Sequence, residues 1–247
     1  MRIHDIALFT HRGAVRVRNE DAVFAGGTIF QEDLRDVVAL RLTGSPHALL
    51  IADGMGGHPH GDLASHAALA FLTSQDGLLD GPAACETALH AANERLYELM
   101  DEPTRIRMGT TIAGLVLQET AMIAFNVGDS RAYRLSSRGL HKLSHEDVIF
   151  PPGEGRAPGR THGITQALGG SNFPLAIVPH VCLEPPLQVG DKVLLCTDGL
   201  TDALDDREIE TFLQLSASPA IIIQKLVRRA ISAGTRDNIS VVVGVCV

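Results

Sequence analysis

Short runs of apolar residues recur along the chain and predict β-strands. Most of these runs are nearly continuous rather than alternating, which is typical of strands that are buried on both faces. The last run is rich in β-branched residues, which favour strands. The seven clearest runs are residues 6–10, 48–52, 110–117, 122–127, 132–135, 193–196 and 239–245.

Other segments carry the spacing or the boundary residues of helices. Pro82 can begin one helix, and apolar residues then recur on one face over residues 85–99. Ser218 and Pro219 are typical N-cap and first residues of a second helix, which Gly234 can end. Two shorter helices are predicted over residues 61–71 and 205–215.

The order of these elements indicates the fold class. Strands and helices come in blocks, without the strict alternation of a doubly wound fold, so we expect an α+β architecture of two stacked β-sheets flanked by helices. Residues 151–160 contain three prolines and three glycines and predict a loop. Since strand-like segments continue on both sides of this loop, residues 1–247 are expected to form one domain.

Composition and charge exclude several classes of protein. The net charge is −8 and no basic run is longer than Arg228–Arg229, which argues against a nucleic-acid binder. The four cysteines form no CxxC pair, so zinc ribbons are unsupported and a reducing compartment is expected. The chain shows neither a signal-peptide core nor 18 continuous apolar residues, so we predict a cytoplasmic protein that does not interact with membranes.

Acidic residues stand at the ends of several predicted strands. Asp53, Asp129 and Asp198 follow apolar runs, and Asp237 immediately precedes the last run. A carboxylate beside a buried strand is costly unless it is paired, hydrogen-bonded or bound to a metal. A single Asp-Gly step is more often a simple turn. Four such sites in one chain favour a shared centre for hard cations such as Mg²⁺ or Mn²⁺.

Two further segments add candidate ligands. The carbonyl of Gly54 can itself bind a metal, and the helix predicted after it presents an N-terminus that suits an anion. Arg16 can bind a phosphate through two hydrogen bonds, and Glu20 or Asp21 can serve the metals. Without other context, a solvated charged loop is the simpler interpretation of the Arg16 segment.

Seven motifs, in order over nearly the whole chain, resemble the metal-dependent serine/threonine protein phosphatases, the type-2C or PPM family, in their short bacterial form. They are Gly13-Ala14-Val15-Arg16 with Asn19-Glu20-Asp21; residues 52–58 with Gly61, Ala64 and Ser65; Met108-Gly109-Thr110-Thr111; Val127-Gly128-Asp129-Ser130-Arg131-Ala132-Tyr133; Thr165-Gln166-Ala167-Leu168-Gly169; Thr197-Asp198-Gly199-Leu200-Thr201-Asp202; and Arg236-Asp237-Asn238-Ile239-Ser240. The resemblance implies a four-layer αββα sandwich, in which two antiparallel sheets are flanked by helices.

The resemblance also implies a set of metal ligands. Asp53 would bridge two core ions, Mn²⁺ or Mg²⁺. Asp198 and Asp237 would complete the first ion. Glu20 and the carbonyl of Gly54 would serve the second ion.

Other roles follow from the same resemblance. Asp129, together with Asp198, would hold a weaker third ion. Arg16 would grip the substrate phosphate. Asp21 and Asn238 would act in catalysis by orienting metal ligands and waters.

The activity implied is hydrolysis of phosphoserine and phosphothreonine in phosphorylated proteins by a metal-activated water. Family resemblance further implies that such an enzyme opposes a bacterial serine/threonine kinase, in a secretion-system or cell-envelope pathway. A monomer is expected.

The sequence departs from the family pattern in several places. His11 stands where the family has Asp, residues 144–147 replace a Thr-x-Asp-His motif, and the flap at about 145–163 is short. Met55 stands where animal members have a His that is thought to protonate the leaving group. The general acid is therefore open, and the candidates are His58, His60 and His162.

The sequence argues against three alternative functions. A partner-switching phosphatase that acts on an anti-sigma-type antagonist would generally lack Arg16 and parts of residues 53–57, and both are present. A non-catalytic binding domain would be expected to lose metal carboxylates. A two-metal nuclease would need a basic groove, for which the sequence gives no sign.

Overall fold

The computed structural model describes residues 3–55, 60–100, 107–150 and 162–247. In chain order the strands are β1 (Ile3–His11), β2 (Asp21–Ala25), β3 (Thr28–Phe30), β4 (Val38–Thr43), β5 (His47–Asp53), β6 (Gly109–Thr110), β7 (Ile112–Leu117), β8 (Met122–Val127), β9 (Arg131–Ser136), β10 (Gly139–Lys142), β11 (Val148–Ile149), β12 (Gly163–Ile164), β13 (Leu168–Gly169), β14 (His180–Glu184), β15 (Lys192–Cys196) and β16 (Ile239–Cys246). The helices are α1 (Gly61–Ser74), α2 (Pro82–Met100), α3 (Asp198–Thr201), α4 (Asp206–Leu213) and α5 (Pro219–Ser232), with a 3₁₀ turn at Asp76–Leu79.

Two six-stranded antiparallel sheets form the centre of the fold. The first sheet has the order β10-β9-β15-β16-β1-β4, and the second has the order β14-β8-β7-β5-β2-β3. Every strand pair in both sheets is antiparallel. The nearly continuous apolar runs are explained by this stacking, because the inner strands contact the other sheet on one face and helices on the other.

Three layers of core hold the sheets and helices together. One core lies between the second sheet and helices α1 and α2, and includes Leu69, Leu89 and Phe125. The middle core lies between the two sheets. The third lies between the first sheet and helices α3 to α5, and includes Leu226. The predicted α+β fold, a four-layer αββα sandwich, is therefore confirmed.

Most predicted strands are confirmed, with one informative correction. The run at 110–117 is not one strand, since it breaks at Thr111 between β6 and β7. The hydroxyl of Thr111 accepts the Asp53 N–H at 3.2 Å, and the Thr111 N–H donates to the Asp53 carbonyl at 2.9 Å. These two hydrogen bonds tie Thr111 to Asp53, and β6 on the other side of the break pairs with β13.

The predicted helices are confirmed, with shifted ends. Helix α1 extends to Ser74 rather than to residue 71, and α4 is shorter than residues 205–215. Asp205 is the N-cap of α4, because its side chain accepts the Glu208 N–H at 2.9 Å. Pro219 begins α5 as predicted, and Gly234 follows its C-cap with a φ of 88°.

Some predictions fall outside the described residues. They are the loop at 151–160 and the stretch 56–59, which includes His58. The base of the predicted flap is described, and there β11 pairs with β12. Among the described helices, none combines the length and the apolar character needed to cross a membrane.

Candidate active site

Neighbouring strands of the second sheet bring the first two carboxylates together. Asp21 begins β2, Asp53 ends β5, and the two residues are directly opposite each other in the antiparallel register. Side chains of opposite residues extend from the same face of a sheet. Asp21 is fully buried, and its Oδ2 accepts a hydrogen bond from Thr197 Oγ1 at 2.9 Å.

The first sheet supplies the next two carboxylates. Asp198 follows β15 as the first residue of α3, and Asp237 lies two residues before β16, the neighbour of β15. A Cβ on Gly199 would overlap the carbonyl oxygen of Asn238. Only glycine therefore lets α3 approach the Asp237 turn this closely, which explains the Asp-Gly step that follows β15.

Glu20 and Gly54 are held by backbone contacts. The Gly54 N–H donates to the Glu20 carbonyl at 3.1 Å, and a Cβ on Gly54 would overlap the carbonyl oxygens of Glu20 and Gly61. Asn238 Oδ1 accepts the Glu20 N–H at 2.9 Å. The Asn238 amide also donates to the carbonyls of Arg12 at 3.1 Å and Arg18 at 2.9 Å. Asn238 thus fixes the segment that carries both Arg16 and Glu20.

Arg16 lies at the edge of this group. Its Nη2 donates to Asp237 Oδ2 at 2.5 Å, and 41% of its side chain is exposed. This hydrogen bond raises the pKa of Arg16. The guanidinium is therefore anchored to a candidate metal ligand and remains open to solvent on its other side.

Asp129 lies beside two residues from other parts of the chain, His162 and Asp198. Its side chain is 1% exposed, and His162 Nε2 lies 2.6 Å from its Oδ2. His162 Nδ1 lies 3.9 Å from Asp202 Oδ1. The ligand atoms of Asp129, His162 and Asp198 all lie within 4.8 Å of one another. This geometry fits the third-ion position that the resemblance implies.

We call the five converging aspartates the carboxylate centre. They are Asp21, Asp53, Asp129, Asp198 and Asp237. Burial raises the pKa of Asp53 and of Asp198 well above the ordinary value, and the charges of the other carboxylates raise both further. Burial likewise raises the pKa of Asp21 to about 7.

The donor set of this centre fits divalent cations. Within the part of the chain that the structure describes, the Oδ1 atoms of Asp21, Asp129 and Asp198 are buried without a hydrogen-bond partner. Buried carboxylate oxygens of this kind are costly unless a positive charge compensates them. Because almost all donors are oxygens, hard ions such as Mg²⁺ or Mn²⁺ suit the centre better than soft ones.

The structure brings the predicted metal ligands, Arg16, Asp21 and Asn238 to this region, and it adds one carboxylate, Asp202, that the sequence analysis did not single out. Burial raises the pKa of Asp202 to about 6, while the charge of His162 lowers it. The spacing from Asp198 to Asp202 is i, i+4, which places two residues on one face of a helix. That spacing was the signal available in the sequence.

Two candidates for the general acid, His60 and His162, lie within the described residues. His60 is the N-cap residue of α1 with a φ of 83°, and His162 contacts Asp129. Met55 is a packing residue, because its methyl group fills the space where side chains on Gly109 and Gly170 would lie.

Comparison with known proteins identifies the family. The family model for protein phosphatase 2C matches residues 31–225. The serine/threonine protein phosphatase PstP of Mycobacterium tuberculosis is 32% identical over 244 residues, which is 94% of this chain and 43% of that protein. The chain thus spans less than half the length of this relative. The serine/threonine phosphatase Stp of Listeria welshimeri is 29% identical over 94% of this chain and 92% of its own.

A solved structure agrees with the sequence matches. The crystal structure of the catalytic domain of PstP in complex with two manganese ions superposes with a TM-score of 0.78. It is 27% identical in sequence and covers 100% of both chains. The chain therefore belongs to the protein phosphatase 2C family of metal-dependent serine/threonine protein phosphatases.

Proposed function

We propose that this chain is a phosphoprotein phosphatase that hydrolyses phosphoserine and phosphothreonine with a metal-activated water. The observation that carries the proposal is the carboxylate centre, whose buried oxygens, unpartnered among the described residues, converge beside the anchored Arg16. Family membership supports the same activity.

The chain's own residues suit the roles that the proposal gives them. Asp53, Asp198 and Asp237, with Glu20 and the Gly54 carbonyl, would hold two Mn²⁺ or Mg²⁺ ions, and Asp129 with Asp198 would hold a third. The manganese ions named for the PstP structure support this choice of metal. Bound ions of this kind lower the pKa of a shared water, so that it attacks phosphorus at neutral pH.

Arg16 is placed to bind the phosphoryl group. Its exposed guanidinium can donate to phosphate oxygens while Asp237 holds it in position. Asn238 holds the backbone of Glu20 and of the Arg16 segment in place. Asp21 links β2 to Thr197 through its buried carboxylate. Arg16 would touch the substrate, whereas Asp21 and Asn238 act through other residues.

A direct assay tests the function. The purified chain is incubated with a phosphothreonine peptide and a matched phosphotyrosine peptide, with Mn²⁺ or with EDTA. We expect release of phosphate from the phosphothreonine peptide only when Mn²⁺ is present, and loss of that activity in Asp53→Asn. Full activity of Asp53→Asn, or no hydrolysis of the phosphothreonine peptide by wild type with Mn²⁺, would contradict the proposal and favour a binding domain of the same fold.

We propose that residues 1–247 act as one catalytic domain with a short flap at about 145–163, as a cytoplasmic monomer that opposes a bacterial serine/threonine kinase. Phosphorylated proteins, rather than nucleic acid or membranes, would be its partners. A phosphoproteome of a strain that lacks the gene tests this, because substrates of one kinase should gain phosphate on serine and threonine.

A further inference from the structure

A second cluster of potential metal ligands lies outside the carboxylate centre. The side chains of His145, Asp147 and His180 come together so that one ligand atom from each lies within 4.8 Å of the other two. His145 is exposed, His180 is half-buried and Asp147 is buried. Two imidazoles and one carboxylate therefore meet at a surface that solvent can reach.

The carboxylate of this cluster is held in one orientation. Asp147 Oδ2 accepts the Gly128 N–H at 2.8 Å, and the Asp147 N–H donates to the Gly128 carbonyl at 3.1 Å. The Asp147 carbonyl accepts the Thr165 N–H at 2.8 Å. Asp147 Oδ1 is left to face His180, whose Nε2 lies 2.8 Å away. Outer hydrogen bonds of this kind fix the ligands of metal sites.

The two histidines are also placed by rigid backbone. His180 begins β14 and is paired in register with Asn126 of β8. Asn126 also holds the backbone of His145, because its Oδ1 accepts the His145 N–H at 3.0 Å and its amide donates to the His145 carbonyl at 2.6 Å. The two imidazole rings consequently lie with centroids 4.4 Å apart.

We propose that His145, Asp147 and His180 form a binding site for a transition-metal dication of the Zn²⁺ class, separate from the phosphatase centre. Imidazole nitrogens favour Zn²⁺, Co²⁺, Ni²⁺ and Cu²⁺, whereas the oxygen-rich carboxylate centre suits Mg²⁺ and Mn²⁺. Two donors that each lie about 2.0–2.1 Å from one ion can be about 2.8 Å apart when the angle between them is close to 90°. The exposed side would leave coordination positions for water or another ligand.

A purely structural hydrogen bond between His180 and Asp147 does not account for the whole cluster. The contact between His180 and Asp147 needs only those two residues, but it gives no reason for a second imidazole against the first. Both the oxygen and the nitrogen of the Asn126 side-chain amide hydrogen-bond to the backbone of His145, which carries the second ring. Three potential metal ligands therefore meet at a place where a hydrogen bond would need only two residues.

The test must count metals separately, because Gly128 contacts Asp147 and immediately precedes Asp129 of the carboxylate centre. The purified chain is saturated with Mn²⁺ and dialysed against increasing ZnCl₂, and bound zinc and manganese are both measured by mass spectrometry. His145→Ala and His180→Ala are compared with wild type. His141→Ala is the matched control, since His141 is an exposed histidine on β10 outside the cluster.

We expect wild type and His141→Ala to bind one zinc more per chain than either cluster variant. Exchange of zinc for manganese at the carboxylate centre should be equal in all four proteins, and phosphatase activity is not the readout. Equal zinc stoichiometry and affinity in all four proteins would overturn the proposal, as would the absence of zinc beyond that which replaces manganese. If His180→Ala lowers the melting temperature, the comparison of His145→Ala with His141→Ala decides, because both of these residues are exposed.

Discussion

Two buried polar regions lie close together in this fold, and they handle charge in opposite ways. The carboxylate centre gathers five aspartates, with the guanidinium of Arg16 at its edge. The other region, which we call the Arg131 cluster, is balanced within the chain. Its members are Arg131, Tyr133, Lys142, Glu146 and Asp206.

The Arg131 cluster is closed by short contacts. Arg131 Nε donates to Glu146 Oε1 at 2.8 Å, and its Nη1 donates to Tyr133 Oη at 2.6 Å and to Asp206 Oδ1 at 3.1 Å. Lys142 adds a second contact to Glu146 at 2.6 Å. Burial alone would lower the pKa of Arg131, but Tyr133 and Glu146 outweigh this effect and raise it.

The difference separates structure from function within a single motif. Asp129 and Arg131 are only two residues apart, yet Asp129 lies among other carboxylates, whereas Arg131 is paired with Glu146 and Asp206. Removing one partner from a region that balances its own charge leaves the other charge uncompensated and destabilises the fold. Buried carboxylates without a compensating charge either take up protons or bind cations, and two-metal chemistry uses the second outcome.

The largest expected effect is on activity at the carboxylate centre. Asp198→Asn removes one negative ligand but keeps the shape of the side chain. We expect kcat/KM on a phosphothreonine peptide with saturating Mn²⁺ to fall on the order of 10³-fold, because several kcal/mol of transition-state stabilisation depend on the metals.

Asp80→Asn is the matched control for this variant. Asp80 is an exposed aspartate that follows the 3₁₀ turn. Its activity should equal that of wild type. If Asp198→Asn and Asp80→Asn show similar kcat/KM, Asp198 is not a metal ligand of the centre.

The next largest effect is on stability at the Arg131 cluster. Arg131→Met leaves Glu146, whose side chain is 9% exposed, without its main guanidinium partner. We expect the free energy of unfolding to fall by roughly 3 kcal/mol, measured by urea denaturation, because breaking one side of a buried ion pair leaves a charge that Lys142 compensates only in part. Mn²⁺ should not restore this loss.

Two further variants sharpen this result. Arg131→Met combined with Glu146→Gln should recover part of the lost stability, since the leftover charge is removed. Arg95→Met breaks the exposed pair with Glu98, whose side chain is 65% exposed, and should change the free energy of unfolding by about 0–1 kcal/mol. An equal loss in Arg95→Met and Arg131→Met would contradict the assignment of the cluster.

The contrast between the two regions also explains what the sequence could predict. The carboxylate centre was predictable, because each of its strand-end aspartates carries a local signal: a buried apolar run that ends in, or begins after, a carboxylate. The seven ordered motifs then tied these signals together. The two-sheet fold was predictable for the same reason, since strands buried on both faces are nearly continuous apolar runs.

The Arg131 cluster had no such local signal. Glu146 and Asp206 lie 15 and 75 positions from Arg131. The pairing of β9 with β10 and the placement of α4, which begins at Asp206, bring the cluster together. Edge strands were missed on similar grounds. In β4 the buried and exposed positions roughly alternate and β14 is only half-buried, so neither has the continuous apolar pattern of an inner strand.

A smaller effect is expected at Asn238, which connects the carboxylate centre to its supporting segment. Asn238→Ala removes the acceptor for the Glu20 N–H and the donors to the carbonyls of Arg12 and Arg18. We expect the apparent Mn²⁺ affinity, measured from activation curves, to weaken by roughly 10–100-fold, as is typical when a residue that orients metal ligands is lost. A lower maximal rate with unchanged Mn²⁺ affinity would instead assign Asn238 to the substrate.

The smallest expected effect is an increase in the free energy of unfolding, and it tests directly whether the carboxylate centre and the Arg131 cluster differ in charge balance. In EDTA, Asp198→Asn should raise the free energy of unfolding by on the order of 1 kcal/mol, because it relieves the burial and mutual repulsion that raise the pKa of Asp53 and Asp198. Mn²⁺ should then stabilise wild type more than the variant, since bound ions are linked to the folded state.

Glu146→Gln provides the contrast, because it removes a carboxylate from the balanced Arg131 cluster and should destabilise the chain in EDTA. Thermal unfolding of the three proteins with and without Mn²⁺ measures both signs. Destabilisation of metal-free Asp198→Asn to the same degree as Glu146→Gln would mean that the two regions balance charge alike.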